Sequence, residues 1–365
     1  MLHTKVKHSF QTMLKDLTET AGAPGHERSV REVMERYVQP WADEVTGDRL
    51  GSLVAKKGSQ GPRIMIAGHL DEIGLMVTRI DDKGFLRFQP LGGWWSQVLP
   101  AQRVELFTRK GKLLGVIGSK PPHMMSAEEA RKGVSLEDLF IDLGVESKEE
   151  AEELGVRPGD FAIPYSPFTE MANSNRWLAK AMDNRMGCAV AAEVLYRLRQ
   201  DNVDHPNQVF AVGTVMEEVG CRGAKTAAAA VNPDIAFAID VGIATDSPGI
   251  SSTHSESKLG GGPIMVLYDA RHIPNQGLVH LAEEVAEELG IKIQYEFIQR
   301  GATDAANIHL NEIGVPAVSM GVPSRYIHSH ASIIDKRDCE QLVDLLVEMV
   351  KRLDADKVKE LQLGY

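Results

Sequence analysis

Apolar positions along the chain fall into two textures. One alternates buried-strand runs with stretches at helical spacing; the other is a series of short apolar pieces cut by turn signals. The pattern predicts helices on both sides of a break at Gly22-Ala23-Pro24-Gly25 within Val6 to Val38, the second starting near Glu27. Strands are predicted at Ser52 to Lys56 and Arg63 to Ala67. The run Ile64-Met65-Ile66-Ala67 suits a strand buried on both faces and leads directly into Gly68-His69-Leu70-Asp71-Glu72. From about Gly74 the turn signals Asp81-Asp82-Lys83-Gly84, Leu91-Gly92-Gly93 and Arg109-Lys110-Gly111-Lys112 predict hairpins of a small β-rich unit. The charged stretch Ser126 to Glu153, with Leu136, Leu139, Phe140 and Leu143 among its acids, is expected to pack on that unit. The chain is expected to leave it near Phe161 to Phe168.

The strand–helix texture then returns. Asp183 to Gln200 reads as a helix with Met186, Ala189, Val190 and Val194 on one face. Val209 to Met216, Ile235 to Ile239 and Val315 to Met320 read as buried strands. Ala224 to Ala230, the series Leu278, Leu281, Val285, Leu289, and the series Cys339, Leu342, Leu346, Met349, Leu353 read as helices. The expected fold is therefore α/β, a mixed sheet covered by helices on both faces, with a β-rich domain inserted after the His69 strand. The boundaries expected are 1–72 and 164–365 for the α/β domain and 73–163 for the insertion. No internal repeat or low-complexity linker interrupts it.

Composition narrows the partners. With 365 residues, 43% hydrophobic and 25% charged, the chain has ample material for a core. Lys plus Arg is 40 against Asp plus Glu at 51, a net charge of −11, which argues against sequence-independent binding of nucleic acid. The most apolar stretch, Ile235 to Ala244, is broken by Asp240 and too short to span a membrane. The N-terminal residues do not read as a signal peptide. Cys188, Cys221 and Cys339 are odd in number and far apart, so neither a disulfide framework nor a thiolate zinc site is expected. A reduced, soluble, cytoplasmic protein is the expectation.

In open α/β sheets, sites form at the carboxyl ends of strands. His69 and Asp71 follow one predicted strand, Glu217 and Glu218 another; Asp240 follows a third, and His328 follows Val315 to Met320 after a loop. Asp183, before a helix, is a further candidate. Taken singly, each has an ordinary explanation: Asp183 as a helix N-cap, Glu217-Glu218 as solvated surface, a histidine as a hydrogen-bonded surface residue. Asp240 is harder to dismiss, because it continues an apolar run where an unpaired carboxylate is costly. Together, two imidazoles and several carboxylates suit divalent metal. Five ligands, one a bridging carboxylate, would hold two ions ~3.5–4 Å apart, leaving one further carboxylate to accept a proton from water. Adjacent Glu217 and Glu218 fit that division if the strand bends there, which Gly220 permits. Asp71, two residues from His69, suits a partner behind the imidazole.

The segments Ala67-Gly68-His69-Leu70-Asp71-Glu72-Ile73-Gly74, Ala181-Met182-Asp183-Asn184-Arg185, Met216-Glu217-Glu218-Val219-Gly220, Ala238-Ile239-Asp240-Val241 and Arg325-Tyr326-Ile327-His328-Ser329 resemble, in order and spacing, the dinuclear-metal aminopeptidases of metallopeptidase family 42. These are the tetrahedral, glutamyl and deblocking aminopeptidases, some carrying an endoglucanase label. The resemblance implies a zinc-exopeptidase-like catalytic domain interrupted by a β-rich dimerisation domain. It implies Asp183 as the bridging ligand, His69 and Asp240 completing one metal site, and Glu218 and His328 the other. Glu217 would be the general base and Asp71 the residue behind His69. Two divalent ions per subunit are implied, zinc foremost, with cobalt or manganese as alternatives, and dimers assembling into a tetrahedral dodecamer. Two departures stand out: Gly301-Ala302-Thr303-Asp304-Ala305 replaces the frequent Gly-Gly-Thr-Asp-Ala, and His330 stands where proline is frequent after Ser329. The loop either shapes the substrate pocket or simply turns the chain. His330 is an alternative ligand to His328, and His309 is taken as structural. The activity expected is removal of N-terminal residues from peptides. The rivals are a carboxypeptidase or deacylase of similar metal chemistry, a glycoside hydrolase using Glu217 and a second carboxylate, and a catalytically silent peptide-binding assembly protein.

Overall fold

A computed structural model describes residues 8–250 and 255–363, apart from the side chains of 129 and 130. The predicted start of the first helix, at residue 6, lies outside the described residues.

The apolar runs assemble into an eight-stranded mixed sheet. In spatial order its strands are Glu44–Gly47, Leu53–Lys57, Gln208–Thr214, Arg63–His69, Ile235–Ile243, Ala317–Ser324, Ile264–Tyr268 and Gln294–Phe297. The four strands from Gln208–Thr214 to Ala317–Ser324 are mutually parallel and adjacent, so their carboxyl ends share one edge. Alternate residues of Arg63–His69 feed two cores. Ile64 and Ile66 face helices Phe10–Glu19, Arg28–Val38, Met182–Gln200 and Lys336–Arg352. Met65 and Ala67 face Ala224, Ala227 and Ala228 of helix Arg222–Val231. This covering of both faces is what continuous apolar strands require. Glycine permits a close approach here: a Cβ on Gly68 would come within 2.4 Å of the Gly187 backbone. The start of helix Met182–Gln200 is thereby seated over the end of the His69 strand.

Between residues 74 and 164 six strands close into a barrel: Gly74–Ile80, Leu86–Leu91, Phe140–Asp142, Gly111–Gly118, Arg103–Thr108 and Phe161–Pro164. Its core includes Leu75, Val77, Leu106 and Ile117, with Leu139, Ile141 and Ala151 from the acid-rich stretch. A separate three-stranded sheet joins Thr169–Glu170, Arg176–Ala179 and Ser332–Asp335.

Several elements differ from the pattern reading. The strand expected to stop at Ile239 runs to Ile243, so Asp240 lies inside it, paired in register with Gly321. Strand Ile264–Tyr268 and the edge strand Gln294–Phe297 lie outside the predicted elements. In the latter the buried positions are the polar Gln294 and Glu296, so the hydrophobic alternation points the wrong way. Among the described residues no helix is long and apolar enough to cross a membrane.

Candidate active site

The seven side chains singled out in the sequence meet at the carboxyl edge of the four parallel strands. His69 is the last residue of its strand and is buried. Its Nδ1 lies 3.1 Å from the Asp71 carbonyl and 3.5 Å from Asp71 Oδ1. Its Nε2 faces three carboxylates, Asp183 Oδ1 at 3.0 Å, Glu217 Oε2 at 3.7 Å and Asp240 Oδ1 at 3.9 Å. On the other side, His328 Nε2 lies 3.2 Å from Asp183 Oδ2 and 3.5 Å from Glu218 Oε2. The two oxygens of Asp183 are thus divided between the two imidazoles.

Local structure explains these positions. Asp183 stands in the first turn of its helix, but with φ −81° and ψ 104° it is not helical. It is not the N-cap; Ala181 holds that position, in the left-handed region. Asn184 fixes the turn. Its Nδ2 donates to the Ile239 carbonyl at 2.6 Å and its Oδ1 accepts from Gly187 N at 2.9 Å. Asp71 acts on the next segment as well as on His69: its two carboxylate oxygens accept from the backbone N–H of Glu217 and of Glu218, each at 3.0 Å. That clamp bends the chain after strand Gln208–Thr214, so neighbouring glutamates serve one site instead of opposite faces. His328 hangs from a loop, and its Nδ1 meets the carbonyl of Gly93 at 2.8 Å. Gly93 belongs to the segment after barrel strand Leu86–Leu91, so the insertion supplies part of the site.

The electrostatics follow from burial and crowding. Burial opposes a charge on His69, but Glu217, then Asp183 and Asp71, outweigh it and the pKa rises. His328 behaves alike: burial lowers, while Asp183 and Glu218 raise, to about 10. Burial also opposes the Asp183 charge, yet His328 and His69 pull it below the usual carboxylate range. The remaining acids lack such support. Burial first, then Asp183, lifts Glu218 to about 8 and Asp240 to about 8. Burial, then Asp240 and Asp304, holds Glu217 well above the ordinary value despite His69. A buried cluster with more carboxylates than cations needs added positive charge. Glu218 Oε1 is buried without a hydrogen-bond partner, and His69, Asp183 and Glu218 offer ligand atoms within 4.8 Å of one another. The donor set of imidazole and carboxylate therefore fits divalent metal.

His330 is placed apart. Both its ring nitrogens are buried without partners, beside Trp94 at 5.4 Å between ring centroids, and burial lowers its pKa to about 4. His309 Nδ1 meets the Ala305 carbonyl at 2.6 Å, closing its own short helix.

Other site residues carry no sequence signal of their own. Glu27 Oε1 accepts from Gly25 N at 2.8 Å and Met216 N at 3.0 Å, tying the N-terminal loop to the glutamate segment. Glu72 receives Lys180 Nζ at 2.7 Å and Arg185 at 3.2 Å beneath the His69 loop. Asp304 is buried, accepts a hydrogen bond from Thr214 Oγ1, and lies against Glu217 and Cys221. Its one cue is its place in the departing loop Gly301 to Ala305. The cluster opens into a cavity of about 600 Å³ walled by Gly301, Ala302, Thr303, Ile243, Ile298 and Glu296, so that loop does line the pocket.

The sequence profile of the M42 glutamyl aminopeptidase family matches residues 51–345. The chain belongs to the M42 aminopeptidase family. Among solved structures, a TET aminopeptidase from a marine sediment archaeon of the Thaumarchaeota is 44% identical, with a TM-score of 0.94 over 96% of this chain and 98% of that one. The TET1 peptidase of Pyrococcus horikoshii, described as assembling into a tetrahedron or a large octahedral shell, is 35% identical with a TM-score of 0.84, covering 94% of this chain and 100% of that one. The glutamyl aminopeptidase of Lactococcus lactis subsp. cremoris is 35% identical over 96% of this chain and 98% of its own length. The M42 assignment makes the chain a peptidase and brings with it the family's dependence on metal.

Proposed function

We propose that this M42 protein is a dinuclear-metal aminopeptidase whose bridging ligand is Asp183. The observation that carries the reading is the division of the Asp183 oxygens, Oδ1 towards His69 and Oδ2 towards His328. Asp240 stands on the His69 side and Glu218 on the His328 side, giving two ligand sets that share one carboxylate. Two divalent ions held there, zinc foremost with cobalt or manganese as alternatives, would polarise the scissile carbonyl and acidify the attacking water. Glu217 is the general base. Its Oε2 lies 3.7 Å from His69 Nε2, beside the ligand sets, where the carboxylate takes a proton from water and delivers it to the leaving amine. Asp71 holds Glu217 and Glu218 through their backbone N–H groups and orients His69. The cluster of carboxylates on the wall of the cavity suits a free α-ammonium group, which favours attack at a peptide N-terminus. The barrel is the dimerisation unit, and dimers build the closed assembly described for the TET1 relative.

The test is a panel of aminoacyl and N-blocked aminoacyl chromogenic substrates, with enzyme stripped by chelator and reloaded with zinc, cobalt or manganese. Cleavage of free-amine substrates alone, restored by metal, is expected. Cleavage of blocked substrates, or activity that survives chelation, would overturn the proposal.

A further inference from the structure

Next to the ligand cluster is a second group of donors that the mechanism leaves unused. Cys221 is the N-cap of helix Arg222–Val231, held at φ 51° and ψ 39°, and is 3% exposed. Its thiol donates to Glu217 Oε1 at 3.2 Å, with the Thr303 carbonyl at 3.5 Å as the alternative acceptor. Asp304, also 3% exposed, has one carboxylate oxygen on Thr214 Oγ1, while its Oδ1 is buried with no hydrogen-bond partner. Glu217, Cys221 and Asp304 each offer a ligand atom, all within 4.8 Å of one another. Glu217, Cys221 and Thr303 line the active-site cavity, so the group is reached from the same opening as the substrate.

We propose that Cys221, Asp304 and Glu217 form a third, inhibitory metal site for a thiophilic divalent ion such as zinc or cadmium, which silences the enzyme by occupying its general base. The inference rests on Glu217 being that base. Tetrahedral zinc with bonds of ~2.3 Å to sulfur and ~2.1 Å to oxygen places those donors about 3.6 Å apart. The observed separation of 3.2 Å between Cys221 Sγ and Glu217 Oε1 needs an adjustment of only tenths of an ångström. One sulfur and two carboxylates favour zinc or cadmium over magnesium or calcium. Without a cation, burial and then Glu217 push the Cys221 thiol up, so the sulfur rests as S–H. Binding exchanges a proton for a metal: the thiol S–H breaks, the sulfur–metal bond forms, and the proton leaves to solvent. Glu217, now a ligand through its carboxylate, no longer accepts the proton of water. The third site thus makes turnover fall once metal exceeds what the two catalytic positions take.

The experiment starts from full-length enzyme carrying two equivalents of zinc and titrates in cadmium. Three quantities are read: bound metal after gel filtration, the thiolate-to-cadmium charge-transfer absorption, and turnover relative to each variant's own cadmium-free rate. A third equivalent is expected, with the sulfur band and the loss of turnover rising together. Cys221→Ser should bind two equivalents, show no band, and lose no turnover at cadmium that silences the parent. Asp304→Asn, which keeps the sulfur, should show the band at higher cadmium, displaced by at least the ~10–100-fold that even an outer-shell partner contributes. Absence of the band in the parent overturns the site. So does a band that survives Cys221→Ser, which would assign it to Cys188 or Cys339, or inhibition that persists in that variant without a band. If the enzyme cleaves no substrate, the proposed function fails, while stoichiometry and absorption still decide the site.

Discussion

Asp71→Asn is the sharpest perturbation of the proposed centre, because it changes one atom in a buried clamp. Asp71 is 0% exposed, and its carboxylate takes two backbone N–H bonds of 3.0 Å, from Glu217 and Glu218. Asparagine keeps one acceptor oxygen and turns an NH2 group towards the other N–H. One charge-assisted hydrogen bond is lost and two donors are left facing each other. A hydrogen bond to a charged group contributes ~1.5–3 kcal/mol, and at ~1.4 kcal/mol per tenfold the expected loss is roughly 10- to 150-fold. The clamp carries both the proposed base and a proposed ligand, so kcat and metal affinity should fall together. If Asp71 acted only on the His69 ring, where its carboxylate is at 3.5 Å, metal affinity alone would fall. The assay is steady-state kinetics at saturating metal alongside metal titration against a competing chelator. A variant within ~3-fold of the parent in both, about 0.6 kcal/mol, refutes the clamp.

Glu217→Gln should retain metal and lower kcat by roughly 10²–10⁴-fold; metal content and turnover together check it, and retained activity removes Glu217 from the reaction. Asp183→Ala should lose both metals as well as activity, read by elemental analysis of dialysed protein. Gly93→Ala places a Cβ 3.0 Å from His328 Nδ1, so it should shift the imidazole and weaken metal binding about 10–100-fold with little change in melting temperature. Glu296 is buried with Oε2 unpartnered, and burial raises its pKa from 4.5 to about 7. The folded chain therefore binds this proton more tightly than the unfolded one, and stability falls as pH rises through that interval. Glu296→Gln should stabilise by up to ~3 kcal/mol at pH 8 and by almost nothing near pH 4; an equal shift in melting temperature at both pH values contradicts the assignment.

How much was legible in the sequence depended on whether polarity followed position. Runs such as Ile64 to Ala67 announce parallel strands, and charged residues just beyond them stand out for that reason. His69, Asp71, Glu217, Glu218 and His328 were visible on that ground. Asp240 was visible for the opposite reason, as an acid inside an apolar run, although the strand continues past it. What stayed hidden was polarity buried by tertiary contact. Glu296 and Gln294 point inward from an edge strand whose exposed positions are Tyr295 and Phe297, inverting the usual signal. Asp304 sits at a short helix start, where acids are ordinary. Gly93 contributes a carbonyl, which has no side-chain signature. Glu72, Lys180 and Arg185 form a buried ion cluster from segments far apart in the chain, and nothing local in any of them marks the others.

The distribution of the site along the chain has a consequence for biosynthesis. Its pieces come from residues 69–71, 93, 183, 217–218, 240 and 328, so loops of very different lengths must close before any cavity exists. Only one short strand and two helices follow His328 among the described elements. A chain emerging N-terminus first carries only part of the proposed ligand set through nearly all of its translation. Until His328 emerges the chain lacks the second imidazole, and on the proposed function it cannot yet attack the N-termini of its neighbours on the polysome. On the proposed function, proteolytic power arrives at the last step of manufacture.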